Sequence, residues 1–181
     1  MDILTYILLI IIILGVCAII YIINYNNIEA YILKINESEN IIDELLRKKY
    51  DLLMMVKDII LEETDLPKKS FDELVKIKKQ NLSSFDFERK LTETYSLIDK
   101  INLDYENLLT NIRFNNYYND LKEINQKLEA AKSFYNKYTG LLNNYTRKFP
   151  SNLIALTHKI KTRNYFDGKD MFDEDLKDFK L

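Results

Sequence analysis

Apolar residues form a regular stripe along the last third of the chain. They recur at alternating steps of four and three residues, a spacing that only an α-helix places on one face. A stripe of more than four heptads is typical of helices that pack side by side, as in a coiled coil. The predicted helix carries on this face Tyr117, Leu121, Ile124, Leu128, Ala131, Tyr135, Tyr138, Leu142, Tyr145 and Phe149.

A second helix is predicted directly before this one. Apolar residues at helical spacing run from Phe87 to Ile112, and Ser83 or Ser84 is suited to cap the start of the helix. Asn115 and Asn116 predict its end and the turn into the last helix.

The first long helix has a less regular stripe, formed by Ile28, Ile32, Ile35, Ile42, Leu46, Leu53, Val56 and Ile60. Glu39 and Lys49 interrupt the stripe, so we expect this face to be less completely buried. The helix is expected to end before Pro67. Ser70 to Glu73 then has the form of a capping box, which predicts a short helix with Leu74 and Ile77 on its apolar side.

Amphipathic helices of this kind must cover their apolar stripes by packing against one another. The predicted fold class is therefore all-α: an N-terminal transmembrane helix, then an up-and-down bundle of three long helices plus one short helix. The bundle is expected to occupy residues 27–166. Residues 167–181 include six acids and are expected to form a mobile acidic tail.

The chain begins with an apolar segment, residues 3–23, in which 21 consecutive residues carry no charge. At about 1.5 Å per residue, such a helix has the thickness of a bilayer's hydrocarbon core. Tyr21 and Tyr25 stand where an interfacial aromatic belt is expected. The segment is interpreted as a membrane anchor, represented by Ile3, Leu8, Ile12, Cys17, Ile20 and Ile23.

Three alternatives to an anchor are less well supported. A cleaved signal peptide has a basic start, whereas this chain begins with Met-Asp. A lipoprotein site at Cys17 is disfavoured because Val16 is large and further apolar residues follow the cysteine. A buried helix of a soluble protein is rarely apolar on all faces at the extreme terminus.

Charge distribution suggests how the chain is oriented. No Lys or Arg precedes the apolar segment, whereas Lys34 and the run Arg47 to Lys49 follow it. By the positive-inside rule, we expect a single-pass protein of the cell membrane with its N-terminus outside and its C-terminal domain in the cytoplasm.

Composition argues against most catalytic and binding chemistries. One Cys and one His, His158, exclude multi-cysteine metal sites and paired-histidine sites, and the three Gly are isolated, so no phosphate loop is present. A net charge of −2 gives no basic face for nucleic acid. We therefore expect no enzyme, no cofactor, no bound metal, no nucleic acid and no small-molecule substrate, although composition alone leaves a Ser-His-Asp hydrolase open.

Five segments of the chain have the form of sequence motifs: Ile42-Asp43, Leu46 to Leu53, Phe134-Tyr135-Asn136, Phe149 to Ala155 and Lys161 to Phe166. Together they resemble the LemA family of bacterial membrane proteins. Ile42-Asp43 and the run from Leu46 to Leu53 are similar to that family's I-D-x-x-L-K-R-R-x-D-L-I element. Phe134-Tyr135-Asn136 resembles its R-x-Y-N segment, although Leu142-Asn143 stands where the family repeats Tyr-Asn. The run Phe149 to Ala155 resembles its F-P-x-N-L-I-A element, and Lys161 to Phe166 its K-P-R-x-Y-F ending.

The resemblance implies a helical bundle on an N-terminal anchor, with the domain in the cytoplasm and without catalytic activity. The residues that carry it are interpreted as structural: Asp43, Leu46, Asp51, Tyr135, Asn136, Asn143, Phe149, Pro150, Asn152, Tyr165 and Phe166. Asn136 and Asn143 are seven residues apart on one flank of a stripe. Their amides are suited to hydrogen-bond the segment that returns after Pro150.

Two functional classes follow. The first is an interaction or scaffold module that presents the bundle to a protein partner at the lipid bilayer. The second is a self-associating structural protein, since an interrupted stripe on the first helix would leave an apolar face for a second copy.

Overall fold

The structure, a computed structural model, describes residues 2–77, 80 and 82–166. Within these residues it contains helices and no strand, which confirms the all-α class. The helices are α1 (Ile3–Glu63), a 3-10 helix (Lys68–Phe71), α2 (Asp72–Ile77), α3 (Ser84–Asp104), α4 (Glu106–Thr110), α5 (Ile112–Tyr145) and α6 (Ser151–Thr157). The predicted acidic tail, residues 167–181, lies outside the described residues.

The chain forms two compact units. The first contains residues 2–37 and Phe134–Tyr165, and the second contains Ser38–Ser133 together with Phe166. The apolar segment lies in the first unit, and the short helix α2 lies in the second.

The second unit is a bundle in which three long helices contact one another. Ser84 Oγ donates to Asp43 Oδ1 over 2.7 Å, and Asn107 Nδ2 donates to the Glu63 carbonyl over 2.6 Å. The start of α3 thus contacts α1 near Asp43, and α4, which follows the end of α3, contacts the end of α1 at Glu63. The two long helices therefore run parallel, and the chain returns between them through the 3-10 helix and α2. This return gives the short helix its place as the second member of an up-and-down bundle.

Helix α5 completes that bundle in the opposite direction. Tyr118 Oη donates to Asp99 Oδ1 over 2.6 Å near the start of α5, and Lys132 pairs with Glu88 over 3.4 Å further along. Higher numbers on α5 thus meet lower numbers on α3, as antiparallel neighbours must. The core contains Ile42, Leu46, Leu53, Val56, Ile60, Leu91, Ile98, Phe114, Leu121 and Leu128.

Helix α1 is continuous from the apolar segment into the bundle. Its buried face is more continuous than the sequence indicated, because the polar residues Ser38 and Lys49, which stand at positions of the apolar stripe, are both buried. The expectation that Lys49 would leave this face less buried is therefore wrong: the side chain is 2% exposed and its amine donates a hydrogen bond to Thr92 Oγ1. Glu39 is exposed beside the stripe and does not interrupt it.

The junction between the second and third long helices differs from the prediction. The turn expected at Asn115 and Asn116 lies earlier, since α3 ends at Asp104 and α5 already begins at Ile112. The physical reason is a cap at Asn111, whose Oδ1 accepts from the Phe114 backbone N–H over 3.0 Å.

Helix starts elsewhere follow the sequence in one case and depart from it in another. Ser83 caps α3, as predicted, because its Oγ accepts from the Asp86 N–H over 3.1 Å. Ser70 is not an N-cap: it lies inside a 3-10 turn that starts after Pro67, and α2 begins only at Asp72.

Candidate functional site

The second unit contains an open pocket bounded by α1, α2 and the start of α3. Its volume is about 610 Å³. Both apolar side chains and polar groups form its wall. It is lined by Asp43, Leu46, Arg47, Tyr50, Asp51, Ile77, Gln80, Leu82, Ser84 and Phe87.

Side chains on the pocket wall are held by their neighbours. Asp43 accepts a hydrogen bond from the Ser84 hydroxyl, and Gln80 Oε1 accepts one from Lys90 Nζ over 3.0 Å. The Tyr50 and Phe87 rings lie 6.1 Å apart and form the aromatic part of the wall. Of the polar groups on the wall, the Asp43 carboxylate and the Gln80 amide are thus fixed by hydrogen bonds to α3.

Three of the predicted motif residues meet at this pocket. Asp43, Leu46 and Asp51 are spaced three and five residues apart on α1, and all three line it. The sequence singled them out as structural and gave no indication of a cavity. Its other wall is formed by residues that belong to no family motif, namely Ile77, Gln80, Leu82, Ser84 and Phe87.

A polar network that begins at the buried Lys49 and reaches the exposed Thr92 lies in the same unit. Lys49 Nζ donates to Thr92 Oγ1 over 3.0 Å, and Thr92 in turn donates to Glu88 Oε1 over 3.0 Å. Glu88 pairs with Lys132, which also pairs with Glu129. The chain of contacts joins α1, α3 and α5, so it links three long helices through polar groups.

Burial and charge act differently on the two lysines of this network. Desolvation lowers the pKa of Lys49 from 10.5 to about 8, although the charge of Glu88 opposes it. Burial would also lower the pKa of Lys132, but its contacts with Glu129 and Glu88 outweigh that effect and raise the pKa. Lys132 therefore stays charged, whereas Lys49 approaches neutrality just above physiological pH.

Sequence reasoning missed this network. The one available signal was a lysine in register with an apolar stripe, which was interpreted as an interruption. Its partners Thr92 and Glu88 lie about 40 positions further along the chain, so no local pattern joins them to Lys49.

In the first unit, the segment that follows α6 is fixed against α5. Asn143 Nδ2 donates to the Arg163 carbonyl over 2.8 Å, and Asn143 Oδ1 accepts from the Arg163 N–H over 2.9 Å. Tyr135 Oη donates to the Asn164 carbonyl over 3.1 Å. Asn143 thus makes the contact that its position suggested, and Tyr135, the neighbour of Asn136, makes a further contact with the same segment.

Tyr165 completes this contact. Its ring is buried, and a Cβ added to Gly140 would lie 3.2 Å from Tyr165 Oη. Glycine at position 140 therefore allows the aromatic ring to lie directly on the α5 backbone. A larger residue there would displace the ring.

Replacing Asn143 with Ala should weaken this attachment. The substitution leaves a backbone N–H and a backbone carbonyl of Arg163 without these partners, which costs about 2 kcal/mol of unfolding free energy. We expect faster amide hydrogen exchange over residues 161–165 and a lower urea midpoint. Asn144→Ala, at the exposed neighbouring position, serves as the control and should change neither.

The remaining motif residues occupy separate places. Phe149 is exposed, because α5 ends at Tyr145 rather than at the last residue of the apolar stripe. Pro150 precedes α6, and Asn152 Oδ1 accepts from the Leu153 N–H over 2.9 Å at the start of that helix. Phe166 belongs to the second unit, where its ring lies 6.2 Å from that of Phe85.

The apolar segment is exposed along its length. In the described part of the chain, α1 is the one helix long and apolar enough to cross a membrane, and its most apolar window has a mean hydropathy of 3.2 with none of it buried. The predicted anchor residues Ile3, Leu8, Ile12, Cys17, Ile20 and Ile23 are all exposed.

Comparisons with known proteins give one match. The family model described as LemA family matches residues 38–177, which is more than three quarters of the chain. No curated protein and no solved structure matches the sequence.

Across residues 2–77, 80 and 82–166, no group of three or more His, Cys, Asp or Glu side chains is placed to hold a metal ion.

Proposed function

Because the chain belongs to the LemA family, and because a long apolar segment leads directly into a helical bundle, we propose that it is a non-catalytic interaction module anchored in the cell membrane. Its partner is a protein, which it binds through the pocket between α1, α2 and α3. The observation that carries the proposal is the meeting of three family-motif residues, Asp43, Leu46 and Asp51, on the wall of that pocket.

Membrane anchoring is supported by the exposure of the apolar segment. A solvent-facing run of this hydropathy is not stable as a free helix in water, but it satisfies both the length and the backbone hydrogen-bonding requirements of a bilayer. All 26 Lys and Arg residues follow the segment, which supports a cytoplasmic location for the bundle. Protease treatment of intact cells should therefore leave the C-terminal part uncut.

Partner binding is supported by the chemistry of the pocket wall. It offers the carboxylates of Asp43 and Asp51, the guanidinium of Arg47 and a floor of Leu46 and Phe87. A peptide segment with one apolar side chain and one basic group fits this combination, since it can fill the floor and pair with a carboxylate.

Site-specific cross-linking in cells tests the proposal. A photo-crosslinking amino acid at Arg47, exposed on the pocket wall, should capture one or a few proteins reproducibly. The same amino acid at Asn119, exposed on α5, is the control and should not capture them. Adding Asp51→Arg should reduce capture, whereas Asp104→Arg at an exposed position outside the pocket should not. Capture of lipid and of the chain itself alone would contradict the proposal.

The structure removes the observation that suggested self-association through the first helix. An exposed apolar face on the first helix was expected because Lys49 interrupts the apolar stripe. In the folded chain Lys49 is buried together with the stripe, so it does not expose that face.

A further inference from the structure

Helix α6 has an exposed apolar side. Ser151, Ile154 and Ala155 are buried on one side of the helix. Leu153 and Leu156 project from the opposite side, where they are 54% and 76% exposed. Phe149, two residues before the start of α6, is 79% exposed, so three large apolar side chains face away from the protein within eight residues.

The surrounding sequence is exclusively basic. Between Glu129 and Asp167 the chain carries seven Lys or Arg residues and no Asp or Glu. Five of the seven flank α6, and among them Lys148, Lys159 and Lys161 are exposed. An apolar surface that is flanked along the chain by basic residues is complementary to the surface of an anionic bilayer.

The fold places α6 at the end of the apolar segment. His158, the residue after α6, lies with Nε2 2.6 Å from Tyr21 Oη, and its ring centroid is 4.8 Å from that of Tyr25. Tyr145 Oη donates to Asn24 Oδ1 over 2.7 Å just before α6 begins. Contacts on both sides of α6 thus reach residues 21–25, where a helix that spans residues 3–23 leaves the hydrocarbon core.

We propose that α6 is a second membrane contact, in which Phe149, Leu153 and Leu156 insert into the interface of an anionic bilayer while the flanking lysines face lipid phosphates. The inference rests on the proposed membrane anchoring, because the apolar segment sets the depth at which α6 lies. The contact fixes the first unit against the lipid surface instead of leaving it on a freely rotating helix. Trp is absent from the chain, so this face of α6 and the tyrosines at residues 21 and 25 supply the interfacial side chains.

Lipid-quenched fluorescence on the full chain tests the contact. The single native Cys17 is replaced by Ser, and an environment-sensitive fluorophore is attached at Leu156→Cys or, as the control, at Asn119→Cys. In vesicles of phosphatidylcholine with phosphatidylglycerol and spin-labelled lipid, we expect quenching at position 156 to exceed that at 119 by at least about threefold. Equal quenching at the two positions would overturn the proposal.

Charge and lipid composition supply the second arm. Lys159→Gln with Lys161→Gln should reduce quenching at position 156 by about threefold in anionic vesicles, whereas Lys122→Gln with Lys127→Gln on α5 should leave it unchanged. Vesicles of phosphatidylcholine alone should give the weaker quenching, and inorganic phosphate should not restore it. The same quenching in both lipids would overturn the role of anionic headgroups.

Labelling the native Cys17 separates the two proposals. Strong quenching of a Cys17 label without quenching at position 156 would reject the α6 contact and leave membrane anchoring intact. Absence of quenching at both positions would reject the anchoring itself.

Discussion

Raising the pH from 7.5 to 9.5 should stabilise the second unit by about 2 kcal/mol through Lys49 alone. The pKa of this lysine is about 8 in the folded protein and near 10.5 once it is exposed to water. Between these values the unfolded chain binds more protons than the folded one, so the free energy of unfolding rises with pH. Below pH 8 both states are charged and the full penalty of burying the cation is present.

Lys49→Met removes this pH dependence. The methionine keeps an unbranched apolar stem but has no charge to desolvate, so the variant should be more stable than the native chain at pH 7. Urea unfolding in non-ionic detergent, followed by circular dichroism, measures at each pH the difference in unfolding free energy between the variant and the native chain. That difference should shrink as the pH rises, and a constant difference would contradict the assignment.

Two tyrosines of the second unit change the stability with pH in the opposite direction to Lys49, so the variant is needed as a reference. Burial and Asp99 raise the pKa of Tyr118, and burial also raises that of Tyr95. Their unfolded forms lose protons first, so stability falls as the pH rises through about 10. Because both tyrosines remain in Lys49→Met, subtraction isolates the lysine.

Placing two aspartates in the middle of the apolar segment should abolish membrane insertion. Each carboxylate at the centre of a membrane helix costs about 3 kcal/mol, so Ile12→Asp with Ile13→Asp disfavours insertion by about 6 kcal/mol, which corresponds to a change of about four orders of magnitude. Fractionation of cells should find the variant in the soluble fraction or aggregated.

A matched variant shows whether charge is responsible. Ile12→Val with Ile13→Val preserves the apolar surface and should remain in the membrane fraction. If the aspartate variant also remained there after washing, the apolar segment would not be the anchor.

The sequence predicted helices well where an apolar stripe was long and uninterrupted. The α5 stripe gave both the helix and its buried face, since Leu121, Leu128 and Leu142 are all fully buried. It failed at the end: Phe149 fits the spacing, yet α5 stops at Tyr145. Ser151 Oγ donates to the Tyr145 carbonyl over 2.6 Å, and this contact depends on how the chain turns afterwards.

Direction and connection could not be predicted from the stripes. A stripe shows which face of a helix is buried but not which way the helix points, so the parallel pairing of α1 with α3 became visible only through contacts such as Ser84 with Asp43. The break at Asn111 was missed for a related reason. Its side chain caps α5 and also donates to Glu63 Oε1 over 2.8 Å, and the second contact joins distant parts of the chain.

The candidate pocket was only half visible in the sequence. The resemblance marked Asp43, Leu46 and Asp51 as a group, because they lie in one motif on one helix. The opposite wall, including Ile77, Ser84 and Phe87, reaches this position through the return of the chain across α2. The pocket therefore depends on tertiary contacts between distant parts of the chain, which a local sequence pattern cannot predict.

Extraction of native membranes with alkaline carbonate tests the central claim most directly. This treatment releases proteins held at a surface by charge or by a protein partner, but it leaves helices that span the bilayer. If residues 3–23 lie in lipid, the full chain should stay in the membrane pellet at high pH and be released only by detergent. Recovery of the chain in the carbonate supernatant would contradict the account.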